Sequence, residues 1–398
     1  VRFLYLTREE EKMLRGEYGE VIERSLRLLV RLGEIYGADR MIPVSSVQVA
    51  GVSYKSIGDP GLEFLEDYAS KGARVRVPTT LNPPGMDLED WEDFGIPADF
   101  AEKQMRIIDA FREMGVMLTA TCTPYLVGNL PRFGEHIAWS ESSAVSFANS
   151  VIGARTNREG GPSALASAIC GLTPNYGLHL DENRKPNFLV KVSVELKSNS
   201  DFGALGCYVG NIVKNGIPYF RGIKNADVDQ LKSLGAAMAA SGAVALYHVD
   251  GITPEARLMD ISGLQTIEFG EEELKETYEK LNTGNDPDII ILGCPHASLR
   301  EISSLAGKLK GKKLKKRVWI CTSRFTKEAA KKMGLVEIIE KAGGRVVADT
   351  CMVVSPIERM GFKTVGVDSG KAANYLPGFC KQAVVFKSVD ELIREAVL

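Results

Sequence analysis

Asp288-Ile-Ile-Ile-Leu-Gly-Cys294-Pro-His296 is a β-branched apolar run that stops at a glycine, a thiol and a proline. A run that is apolar on both faces reads as a strand buried inside a parallel sheet. The same pattern recurs on either side of it. Gly115-Val-Met-Leu-Thr-Ala-Thr-Cys122 runs into Thr-Pro-Tyr125, and Arg345-Val-Val-Ala-Asp-Thr-Cys351 runs into Met-Val-Val-Ser-Pro356. Strands are predicted to end near Cys294, Cys321, Cys351 and Val367, separated by helices at 298–309, 326–342 and, less clearly, 371–375. A strand at Ala383–Phe386 and a helix at 389–397 close the chain. Strands alternating with helices define an α/β fold with mainly parallel sheets.

Ligands in such sheets sit outside the carboxyl ends of the strands. Cys122, Cys294 and Cys351 are all predicted to lie there. Three thiolates could hold one iron–sulfur cluster and leave one iron open to a substrate. The plainer reading is that a free cysteine is a small buried hydrophobe. No Cys-x-x-Cys occurs among the seven cysteines. Cys321, in Arg317-Val-Trp-Ile-Cys-Thr-Ser323, also ends a predicted strand, so pattern alone does not say which three of the four converge. Cys170, Cys207 and Cys380 lie in apolar or mixed segments and read as structural.

Nearer the N-terminus, residues 7–37 carry helical spacing, broken near Gly16 and Gly19. A strand at Met41–Ala50 enters Gly51-Val52-Ser53, a helix covers 61–70, and a strand at Ala73–Val77 leads to a loop with Asn82-Pro83. Backbone N–H groups in such loops make nests for anions, although the same residues are ordinary turn formers. The stretch 141–165 is small and polar. Glu141 and Ser142 open it, as site residues or as the start of a helix. Arg155-Thr-Asn-Arg158-Glu-Gly-Gly-Pro162, before a helix at Ser163–Cys170, suggests a carboxylate or phosphate site; an arginine–glutamate pair that merely holds the loop is the alternative. Strands at Phe188–Leu196 and Ala243–Val249 and a helix at Asp227–Ser241 follow. Three domains are expected, at 1–140, 141–285 and 286–398.

Composition narrows the function. Of 398 residues, 44% are hydrophobic and 25% charged, with a formal net charge of −2, which offers nucleic acid no basic surface. No apolar stretch approaches membrane-spanning length. The opening Val-Arg-Phe-Leu-Tyr-Leu is not a secretory signal, and a cytoplasmic protein is expected. Val365-Gly-Val-Asp-Ser-Gly-Lys371-Ala is one residue short of a P-loop and lacks its Ser/Thr, but Lys371 could still hold an anionic substrate. His296, two residues beyond Cys294, could support the thiols or meet substrate. His136, His179 and His248 form no zinc pattern, and no Ser-His-Asp arrangement or general base is evident.

Taken together, Cys122-Thr-Pro-Tyr, Glu141-Ser-Ser-Ala-Val through Arg155-Thr-Asn-Arg-Glu-Gly-Gly161, Gly293-Cys-Pro-His and Asp349-Thr-Cys-Met-Val-Val resemble the aconitase X family over essentially the whole chain. The resemblance implies an aconitase-superfamily fold of three α/β domains, without the small swivelling domain. It implies an iron–sulfur cluster, 4Fe–4S favoured, on Cys122, Cys294 and Cys351, and sets Cys321 aside. It further implies substrate contacts at Gly51, Val52, Ser53, Asn82 and Pro83, with Glu141, Ser142 and Lys371 as catalytic residues. The implied reaction is dehydration of (R)-5-phosphomevalonate, a phosphorylated hydroxy acid, to trans-anhydromevalonate 5-phosphate in an archaeal mevalonate route to isoprenoids. Dehydration of cis-3-hydroxy-L-proline is the alternative within the family, and an iron-sensing or RNA-binding relative the alternative outside catalysis. The chain ends at Leu398 directly after its last strand–helix unit, so a separate swivel-domain small subunit carrying the general base is the expected partner.

Overall fold

The computed structural model describes residues 4–398; Val1–Phe3, the start of the N-terminal segment read above, lie outside them. The fold is α/β with mainly parallel sheets. The best-formed sheet uses the opening motif. Ile289–Leu292, Arg317–Thr322, Arg345–Ala348, Thr364–Val367 and Ala383–Phe386 make five parallel strands. Ile289–Leu292 is buried throughout because helices cover both faces of the sheet. Leu299–Leu309 begins at a capping box, in which Ser298 and Glu301 exchange side chain-to-backbone bonds.

The order of the strands matters more than their existence. Ile289–Leu292 lies in the middle, the next two strands build outward on one side, and the chain then crosses to place Thr364–Val367 on the other. The two strands flanking this reversal are those that lead to Cys294 and to Lys371. Connections leave in opposite directions there and open a crevice at the carboxyl edge.

A second parallel sheet is ordered His248–Val249, Pro218–Arg221, Phe188–Val192, Gln265–Phe269. The N-terminal region is thinner. Thr79–Leu81, Val47–Val49 and Ala138–Trp139 form three short parallel strands, and Met41–Pro43 pairs antiparallel with Leu172–Pro174. Helices Tyr54–Ser70, Ala98–Glu113 and Gly161–Cys170 cover it, around a core that includes Val47, Val49, Leu81, Ile107, Phe111 and Leu165.

Several expectations are corrected. The strand expected at Met41–Ala50 is two short strands, Met41–Pro43 and Val47–Val49. Ala73–Val77 is not a strand; the ladder partner of Val47–Val49 is Thr79–Leu81, read above as loop. The run before Cys122 makes one isolated bridge, Thr80 with Met117, and then bends at Ala120, whose φ is 45°. The helix expected at 326–342 divides at Gly334 into Arg324–Lys332 and Leu335–Ala342. The helix Asn199–Val213, capped by Ser198, was not read from the sequence. Helix Gly370–Cys380 continues past Pro377, further than 371–375. Among the described residues no helix is long and apolar enough to cross a membrane.

Candidate active site

Each of three cysteines follows a backbone residue with positive φ. Ala120 lies two before Cys122, Gly293 one before Cys294 and Asp349 two before Cys351, with φ of 45°, 88° and 62°. These bends turn the chain sharply at the sheet edge. At 293 only glycine fits, because a Cβ would sit 2.1 Å from the Cys321 carbonyl oxygen.

The bends bring the thiols together. Interaction between the Cys294 and Cys351 thiols raises the first and lowers the second to about 7. Burial, and then the negative charge of Glu141, pushes Cys122 up to about 12. Cys321 is fully buried in the same apolar cluster as Cys294. Its carbonyl accepts from Ala297 N at 2.9 Å.

Beside the thiols lies a buried ion pair. Lys371, in the first turn of Gly370–Cys380, reaches Glu141 Oε1 at 2.5 Å and Ser143 Oγ at 3.3 Å. Its side chain is 8% exposed and that of Glu141 6%. Burial works to raise the Glu141 carboxyl, but the Lys371 ammonium and bonds from Ser143 and Ala144 outweigh it and hold the group at about 2. Burial disfavours the Lys371 ammonium, yet Glu141 raises its pKa overall. Glu141 also caps helix Ser142–Phe147, accepting from Ala144 N at 2.8 Å. The site and helix-start readings of this residue therefore coincide.

The polar loops of the N-terminal region meet the Cys351 loop. Ser53 Oγ donates to Val354 O at 2.7 Å, and Lys55 Nζ donates to Ser355 O at 2.9 Å. Gly51 turns at φ 75°, and Val52 is buried, its carbonyl accepting from Gln104 Nε2 at 2.9 Å. Asn82 follows its strand directly, with Pro83 buried behind it. Arg324 ties Asp349 to Asp87, so the loop after Pro83 is pinned to the loop before Cys351.

Two residues that organise this edge were not singled out from the sequence. Gln48 is fully buried. Its amide nitrogen donates to Asn82 Oδ1 at 3.3 Å, and its oxygen accepts from Glu141 N at 2.9 Å and Ser140 N at 3.3 Å. Gln104 similarly joins Val52, Tyr54 and Gly85. The one signal available for Gln48 was a polar residue inside an apolar strand, Val47-Gln-Val49. At Arg155–Pro162 the alternative reading, an arginine that holds the loop, fits Arg155. Arg155 pairs with Asp181 at 2.5 Å and lies 3.8 Å from Glu255, so its charge holds the loop in place.

Three family models match the chain in succession: the aconitase X first domain over residues 3–182, the second over 186–279 and the third over 287–398. The chain belongs to the aconitase X family. A solved holo-form aconitase X from Thermococcus kodakaraensis superposes with a TM-score of 0.93 at 50% identity, covering 98% of this chain and 100% of that one. The phosphomevalonate dehydratase large subunit of Methanocaldococcus jannaschii is 59% identical over 98% of this chain and 100% of its own length. The cis-3-hydroxy-L-proline dehydratase of Pseudomonas aeruginosa is 34% identical over 98% of this chain and 69% of its own length. The iron–sulfur chemistry that aconitase kinship suggests can be tested on the donor set. Among the described residues no group of three His, Cys, Asp or Glu side chains is gathered tightly enough for a single metal ion. A cluster several atoms wide asks for more widely spaced thiolates. The Thr350 hydroxyl, next to Cys351, and the Tyr125 hydroxyl, whose environment includes Cys122, are buried without a protein partner. Thiols facing one another, a nearby cation and unpartnered hydroxyls suit such a group.

Proposed function

We propose that this aconitase X chain is the large, catalytic subunit of a hydro-lyase that dehydrates (R)-5-phosphomevalonate to trans-anhydromevalonate 5-phosphate. The observation that carries the substrate is full-length identity of 50% to 59% to archaeal proteins named phosphomevalonate dehydratase large subunit. Cys122, Cys294 and Cys351 would hold an iron–sulfur cluster, 4Fe–4S favoured. When bound, such a group supplies Lewis-acid polarisation of a hydroxyl about to leave as water.

The chain's own residues do the rest. Lys371 places a permanent positive charge beside the thiols, where it offsets a substrate carboxylate and the charge that develops as the adjacent C–H proton is lost. Glu141 keeps that ammonium charged and aimed, and Ser142 lines the same helix start. Gly51, Val52 and Ser53 present backbone donors to the phosphate, while Asn82 and Pro83 shape the opposite wall. The proton-abstracting base is assigned to a separate small subunit, in keeping with the "large subunit" of the relatives' names, and the complex works in the cytoplasm.

Cys122→Ser in the anaerobically purified two-subunit complex is the test. Loss of both dehydration and cluster absorbance is expected, and retention of both would overturn the assignment. Dehydration of cis-3-hydroxy-L-proline is the second reading, favoured by the 34% identical relative. Both substrates are β-hydroxy carboxylates, so assaying the complex on each decides between them.

A further inference from the structure

We propose that His296 is a positioning residue that ties the three cysteine-bearing loops to one another, adding to the bend that each loop makes by itself. The chemistry of the triad rests on the dehydratase reading above; the tie itself rests on geometry.

His296 is 1% exposed and touches all three loops. Its own segment carries Cys294, two residues before it. Its backbone N–H donates to Cys122 Sγ at 3.2 Å. Ring Nδ1 is 2.9 Å from Thr121 Oγ1, the residue before Cys122, and ring Nε2 is 2.7 Å from the carbonyl oxygen of Thr350, the residue before Cys351. These partners lie 175 and 54 positions away in sequence.

The direction of each bond follows from its partners. A carbonyl only accepts, so Nε2 carries the hydrogen. In the neutral ring Nδ1 is then the acceptor and takes the hydrogen of Thr121. Thr121 Oγ1 in turn accepts from Thr123 N at 3.2 Å, closing a bridge across Cys122. The Thr350 carbonyl shares a rigid peptide plane with the Cys351 nitrogen, so holding that oxygen fixes how the Cys351 side chain leaves the backbone. The backbone that carries the ring is anchored from behind. Lys232 Nζ donates to His296 O at 3.1 Å, and Ala297 bonds to Cys321 O and accepts from Thr322 Oγ1 at 2.7 Å.

The two ring contacts can be cut one at a time. Asparagine places a polar atom near Nδ1 and spares the Thr121 bond, whereas glutamine reaches the Nε2 position and spares the Thr350 bond. The readout is pulsed iodoacetamide labelling of the full chain, anaerobic and iron-free, with each cysteine quantified by peptide mass spectrometry. His296→Asn is expected to speed labelling of Cys351 about three- to tenfold, and His296→Gln that of Cys122 by a similar factor, the cost of one lost hydrogen bond. Cys170, Cys207 and Cys380 should label as in the wild type, which a general loosening would not allow. Thr121→Val deletes a single hydroxyl and should reproduce the His296→Gln pattern at Cys122, even should the histidine variants fold poorly. Equal acceleration at all seven cysteines, identical patterns in the Asn and Gln variants, or no change would overturn the proposal. Iron and sulfide analysis of the wild-type complex tests the cluster separately, so a protein that binds no iron overturns the dehydratase reading and leaves the labelling result to decide the role of His296.

Discussion

Two regions of this molecule build the candidate site by different means. The C-terminal region delivers Cys294, Cys351 and Lys371 from the carboxyl edge of a regular five-stranded parallel sheet. The N-terminal region has three short strands on the site side, and its contributors are aimed by buried side-chain amides. Gln48 joins Glu141 to Asn82, and Gln104 joins Val52 to Gly85. The first strategy relies on backbone ladders and tolerates many apolar choices. The second relies on individual polar atoms, each of which costs free energy if its partner is lost.

The largest effect is expected where the two halves meet. Lys371→Met leaves the Glu141 carboxylate buried and unpaired, and should destabilise the chain by about 3–5 kcal/mol in denaturant titrations. Glu141, held at about 2, contributes stability that is present above its ordinary value and lost as pH falls toward 2. The double variant Lys371→Met/Glu141→Gln should recover much of the loss. A single variant as stable as the wild type would break the picture of a buried ion pair shared by the two regions.

Next comes Gln48→Leu, which strips the acceptor from Glu141 N and a donor from Asn82, while Ser140 N keeps its bond to the Gln48 backbone carbonyl. A loss of about 2–3 kcal/mol is expected, near the upper end for buried groups left unsatisfied. Ile291→Val, in the centre of the C-terminal sheet, should cost about 0.5–1.5 kcal/mol and leave dehydration unchanged. Equal loss of dehydration in both variants would erase the distinction between the regions.

The last effect is a pH dependence to which the N-terminal side contributes. His136 Nδ1 and His179 Nδ1 are 2.9 Å apart, and burial, then the neighbouring His136, lowers His179 to about 3. A histidine depressed in the folded state stabilises fully above its ordinary value near 6.5 and loses that contribution as pH falls toward its folded value. The slope approaches about 1.4 kcal/mol per pH unit at most. Denaturation midpoints from pH 7 to 5 should fall more steeply for the wild type than for His179→Gln.

Much of the C-terminal region was legible because strand and helix periodicities are local. Ala383–Phe386 and Leu299–Leu309 fall where pattern placed them. The N-terminal strands were misplaced at 73–77 because the true partner of Val47–Val49, Thr79–Leu81, is three residues long and runs straight into Asn82-Pro-Pro-Gly85, whose turn residues mask its β-branched threonines. Arg155 pointed toward an anion from sequence, but Asp181 and Glu255, far along the chain, claim it.

By itself the sequence determined the α/β class, the thiols beyond apolar runs and the motifs that mark the family, since all of these are written in short contiguous stretches. Only the tertiary structure decided that the chain reverses between the strands leading to Cys294 and Lys371. It alone paired Lys371 with Glu141 and set one histidine ring between two cysteine loops. Those facts join residues tens to hundreds of positions apart, and the physical forces that choose them, packing and the satisfaction of buried polar groups, act only once the chain has folded.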